Sequence, residues 1–62
     1  MSKFQQGERW VNSLGRDIVI VGVDTVPTTV AGVHVDVVAY RFADGDHVHL
    51  RRADLIQGWR KV

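Results

Sequence analysis

Hydrophobic positions concentrate in one stretch of this chain. From Asp17 to Phe42 the sequence runs DIVIVGVDTV, breaks at PTTVAG, and resumes as VHVDVVAYRF. β-Branched residues dominate both halves, so the pattern predicts two long strands joined by a turn. In the first, residues 17–26, Ile18 and Ile20 fall on one face and Val19, Val21 and Val23 on the other. Ordinary inside–outside alternation is absent there. A strand apolar on both faces is covered on both, either by barrel curvature or by a partner subunit. Gly22 is the expected point of bending.

The second strand, residues 33–42, changes phase midway. Val33, Val35 and Val37 alternate with His34 and Asp36; beyond them Val38, Tyr40 and Phe42 form the expected buried set, opposite Ala39 and Arg41. One extra residue in a bulge near Val37 and Val38 accounts for the change.

The remaining elements are short. Residues 8–12 predict a strand with Trp10 inward, followed by a turn at 13–16 in which Gly15 supplies a positive φ. Asp44-Gly45 is a hairpin signal. Residues 47–51 then read as a strand with Val48 and Leu50 inward and His47, His49 and Arg51 outward. Residues 52–57 are long enough for one helical or 3₁₀ turn, Gly58 ends it, and 59–62 make a last strand. Residues 1–6 are expected to be a flexible lead-in, with Phe4 available to cover one end of the core. The predicted fold is all-β: a single domain, 1–62, forming a five-stranded antiparallel SH3-like barrel with one helical turn before the last strand. Closing such a sheet also protects its edges.

Composition narrows the function classes. A chain of 62 residues buries only about 60% of the surface it exposes when unfolded, so burial against a partner is valuable to it. It has no cysteine, which removes disulfides and thiolate zinc sites. Its net charge of +1 lacks the strong basic excess of a typical nucleic-acid binder. No run of about 18 apolar residues predicts a membrane span, and the first ten residues lack the apolar core of a signal peptide. A cytoplasmic protein is the expectation.

Three features are candidates for function. His47 and His49 form an H-x-H pair that can share a metal with His34 or Asp36. Two solvated histidines beside Arg51 is the simpler reading, and no metal or other cofactor is expected. Arg51, Arg52, Arg60 and Lys61 gather near the C-terminus around Trp59. With Arg41 and His49, the residues Arg51, Arg52, Trp59 and Arg60 make a candidate ligand or nucleic-acid site, cations holding phosphates and the indole stacking on a base. Asp44, Asp46 and Asp54 lie close in sequence, so a mixed-charge surface with Trp59 in the core is the competing reading. The third feature is the doubly apolar strand, where Ile18, Val19, Ile20, Val21 and Val23 are the candidate interface. Catalysis has little support: there is no cysteine nucleophile, phosphate loop or H-E-x-x-H, and Asp17, Asp24 and Asp36 are spaced like turn and strand-end residues, which leaves only a site shared between subunits.

The segment VVAYRFADGDHVHLRRADLIQGW, residues 37–59, resembles the C-terminal half of short bacterial and phage SH3-like proteins of unknown function. Its V-x-Y-R strand, Asp-Gly turn, Arg-ended strand and following short segment come in the same order, and the opening G-E-R-W at residues 7–10 fits too. The element order is also similar to the plasmid-borne type II dihydrofolate reductases, barrels that assemble as tetramers. Their V-Q-I-Y motif falls on Val48, His49, Leu50 and Arg51, so its Gln and Tyr are replaced here, which takes support away from folate chemistry. A clear fold signal without catalytic chemistry, set beside these resemblances, leads to the expectation of a non-enzymatic phage or mobile-element protein that contacts a macromolecular partner such as a host protein and can assemble as a homo-oligomer. The alternative expectations are an oligomer sequestering an anionic nucleotide, or nucleic-acid binding along the basic edge.

Overall fold

The computed structural model describes residues 3–62; Met1 and Ser2, the first part of the expected lead-in, lie outside the described residues. Five strands and one 3₁₀ turn follow in order: β1 (Arg9–Val11), β2 (Asp17–Pro27), β3 (His34–Phe42), β4 (His49–Arg52), the 3₁₀ turn Ala53–Leu55, and β5 (Arg60–Lys61). They form one antiparallel sheet in the order β4-β3-β2-β1-β5. β4 and β5 are its two edges, and no ladder joins them.

The core occupies one side of the β2–β3 hairpin. Ile18, Ile20, Val38 and Tyr40 pack there with Trp10 of β1, Phe4 of the N-terminal arm and Ile56 after the 3₁₀ turn. Phe4 covers the core as expected, 4.6 Å from Trp10 and 5.9 Å from Trp59 between ring centroids. Trp59 stands edge-on to Tyr40 at 5.0 Å, so the C-terminal segment folds back across the inner face. The arm is tied down by backbone bonds, Gly7 N–H to the Ile20 carbonyl at 2.8 Å and Ile20 N–H to the Glu8 carbonyl at 2.9 Å.

Glu8 clasps this end of the molecule. Its carboxylate accepts from the Gln5 N–H at 2.8 Å and the Trp10 indole N–H at 3.3 Å, and it pairs with Lys61 Nζ at 2.6 Å. Lys61 above all, then the Gln5 amide, holds the Glu8 pKa below the usual carboxylate value, against the opposing pull of burial.

Turn chemistry is local. The Asn12 side chain accepts from the Leu14 and Arg16 N–H groups, both at 2.9 Å, and Gly15 takes φ +82°. Between β2 and β3, Thr28 N–H bonds the Val33 carbonyl at 2.9 Å and Gly32 takes φ +80°.

Three sequence expectations are corrected here. The bulge lies in β2, not β3: Ile20 pairs with Tyr40 and Gly22 with Ala39, leaving Val21 as the extra residue. Val21 and Gly22 therefore share the outer side, and Val23 returns to the core face of Ile18 and Ile20, where it packs against the cluster. β3 itself is regular, so His34, Asp36, Val38, Tyr40 and Phe42 all share one face.

Asp44-Gly45 closes no tight hairpin either. Gly45 N–H bonds the Phe42 carbonyl at 3.0 Å, neither residue has a positive φ, and pairing resumes only at His49. A type I′ turn needs positive φ at both central residues. That longer loop sets the parity of β4 opposite to the expected one. His49 pairs with Tyr40 and Arg51 with Val38 on the inner side, while Leu50 pairs with Ala39 and points outward. Val48 and Leu50, expected to face in, are both exposed.

Candidate interaction surface

The structure separates the five residues expected at an interface. Ile18 and Ile20 are fully buried in the chain's own core and offer nothing to a partner; Val23 packs against the same cluster. Val19 and Val21 remain on the outer face, Val21 being 37% exposed. They belong to a larger apolar field that sequence reasoning did not assemble.

That field follows from strand register. On the outer side of the hairpin Val19 pairs with Arg41, Gly22 with Ala39, Asp24 with Val37, and Val26 with Val35. β4 adds Leu50 beside Ala39 and Arg52 beside Val37. Val19, Val26, Val35, Val37 and Ala39 are half-buried, whereas Leu50 is 72% exposed. In the loop beyond, Val30 is 61% and Val33 46% exposed. Contiguous apolar surface of this sort marks contact sites in soluble proteins.

The inner side of the same far segment is polar. Thr25 Oγ1 donates to Asp36 Oδ1 at 2.8 Å across the hairpin, and Pro27 pairs with His34. An open groove of about 540 Å³ lies there, lined by Lys3, Phe4, the β3 segment His34, Val35 and Asp36, and Ala53 and Asp54. One ammonium, one imidazole and two carboxylates give it no consistent sign of charge. The hairpin thus reverses polarity along its length. Near β1 its inner side is apolar and covered; toward the tip its outer side is apolar and uncovered.

The candidate ligand residues do not form one edge. His49 and Arg51 lie on the inner side of β4, with the His49 ring stacked on Tyr40 at 5.3 Å. Trp59 is half-buried against Tyr40 and Phe4. Arg41 is on the outer side and donates to the Phe42 and Ala43 carbonyls at 3.3 and 3.5 Å. Arg52, also outward, pairs with Asp54 at 2.8 Å. Arg60 pairs with Val11 on β5, at the opposite edge of the sheet from β4. A contiguous basic edge of all six is therefore absent.

His47 lies in the loop before β4, and His34 is six residues along β3 from the residue that His49 faces. Among the described residues no three His, Cys, Asp or Glu side chains come together in a way that could hold a metal ion. No described helix is long and apolar enough to cross a membrane. No family model matches the chain, and no curated protein or solved structure shows significant similarity to it.

Proposed function

We propose that this chain is a non-enzymatic SH3-like binding module that contacts a macromolecular partner through the outer face of its β2–β3 hairpin. One observation carries the reading: toward the hairpin tip the apolar residues Val26, Val35 and Val37 face outward, while Thr25, His34 and Asp36 take the inner side. A strand whose only task was to complete the chain's own core would have these reversed. The partner is a host protein or another copy of the chain, in keeping with the resemblance to short phage proteins.

The test compares the wild type with Val35→Asp, a substitution outside the core. The variant is expected to keep its far-UV circular dichroism and a cooperative thermal transition, yet lose both self-association and capture of partners from a host lysate. A wild type that neither self-associates nor captures anything, or a variant that behaves like it, overturns the reading.

A second reading has one supporting observation of its own. The stacked His49–Tyr40 pair, with Arg51 two residues along β4 and without an ion-pair partner among the described residues, offers a ring face beside a cation, the combination that holds an anionic nucleotide. A thermal-shift screen with nucleotides tests it; ligand at a hundred times Kd adds about 2.7 kcal/mol of stability, and no shift with any of them removes it.

A further inference from the structure

Resting on that reading, we propose that the partner on the outer face is a second copy of this chain, docked sheet to sheet about a two-fold axis that runs along β3. The argument is charge complementarity across one row of the sheet. Asp24, Val37 and Arg52 are direct cross-strand neighbours on β2, β3 and β4, so an anion and a cation flank Val37 at about 4.8 Å of strand spacing on either side. All three belong to the outer face.

Two sheets packed face to face are related by an axis lying in the plane between them. If that axis runs along β3, left and right exchange. Arg52 of one copy then lies over Asp24 of the other, and the reverse contact forms at the same time. Val37 meets Val37, and the row of Val26 and Val35 meets itself. An axis across the strands would instead set Arg52 on Arg52 and Asp24 on Asp24. The pattern of charge selects the first arrangement.

The limits of the apolar field agree. Toward the tip it reaches Val26 and Val35, and the loop that follows carries exposed Val30 and Val33. At the other end β2 bends at the bulge of Val21, and beyond it Val19 is the last apolar residue, beside Arg41, whose guanidinium is turned onto the Phe42 and Ala43 carbonyls. Asp24 makes no ion pair among the described residues, so its carboxylate is available. Arg52 is held by exposed Asp54 in a two-point fork, Nε to Oδ1 at 3.1 Å and the terminal nitrogen to Oδ2 at 2.8 Å, and docking exchanges that partner for Asp24 of the second copy.

The decisive experiment is a charge exchange read by sedimentation equilibrium. Asp24→Arg alone and Arg52→Asp alone each place like charges in both symmetric contacts, and each is expected to weaken the dimer at least about tenfold. Mixed in equal amounts, the two variants form a heterodimer in which both contacts are opposite in sign, and assembly is expected to return to near the wild-type level. The double variant carrying both changes in one chain should likewise recover. Circular dichroism confirms that each variant is folded, and the double variant keeps the test decisive if one single variant is not. A wild type that stays monomeric, single variants that assemble like the wild type, or a mixture that fails to recover each overturns the second-copy proposal. A host-protein contact through the same face survives any of these results, because its own test is the loss of capture in Val35→Asp.

Discussion

The two halves of the β2–β3 hairpin are built from nearly the same residues and meet opposite fates. In the half beside β1, Ile18, Ile20 and Tyr40 face inward and are sealed by Phe4, Trp10, Ile56 and Trp59. In the half toward the tip, Val26, Val35 and Val37 face outward, where the described chain provides no cover, and the inward positions are Thr25, His34 and Asp36. The molecule is elongated, 38 × 22 × 16 Å, and the tip extends past the small core. Apolar content is therefore a poor guide to burial in a chain of this size. What decides it is whether another segment of the same chain can reach the face, and for the outer tip no described segment does.

The strongest way to break the contrast is to truncate each face in turn. Ile20→Ala is expected to cost about 2–5 kcal/mol. Total stability for a domain this small is about 3–9 kcal/mol, so urea denaturation should show most of it lost. Next in size is the turn that brings Trp59 over Tyr40. Gly58 has φ +78°, and a Cβ there would stand 3.1 Å from the Ser13 Cβ. Gly58→Ala is expected to cost about 1–2 kcal/mol from the left-handed backbone alone. Gly22→Ala, on the outer side with ordinary φ and nothing within 4 Å, should be neutral or stabilising by up to about 1 kcal/mol. Val35→Asp, studied at concentrations where the chain is dissociated, should cost about 0.5–1 kcal/mol through lost strand propensity and the lost cross-strand pair with Val26.

The smallest effect sharpens the covered half. The Glu8 pKa is lowered in the folded chain by Lys61 and the Gln5 amide. A depressed carboxylate contributes stability that is present above its unfolded pKa and lost as pH falls through the lower folded value. Glu8→Gln should thus flatten the acid limb of the stability–pH profile below about pH 4.5, leave its shape unchanged near neutrality, and have no influence on association. Measuring urea midpoints between acid and neutral pH checks it.

Much of the fold was legible because the strong signals are local. The long hairpin, the inward Trp10, the positive φ at Gly15 and the 3₁₀ turn before the last strand all follow from residue type and short spacing. What escaped depended on parity. Strand side chains alternate with a period of two, so an error of one residue inverts a whole face. The Asp44-Gly45 signal suggested a tight turn, but a loop running to Val48 reversed β4 and turned Leu50 outward.

The phase change in β3 was visible in Val33, Val35 and Val37 against His34 and Asp36, and assigning it to a bulge concealed its meaning. β3 is regular, so the change records a real reversal of polarity, and the bulge sits across the ladder at Val21. The same residues held the signal for the outer field. Without the register that places Asp24, Val37 and Arg52 in one row, nothing in the sequence joined them.

The central claim is that the outer tip is a contact face for a second copy, and its most direct test is the mass of the wild-type chain by light scattering over a dilution series. The expected result is a mass of twice the 7.0 kDa chain at high concentration, falling to one chain on dilution. A single-chain mass that persists into the hundreds of micromolar would contradict it.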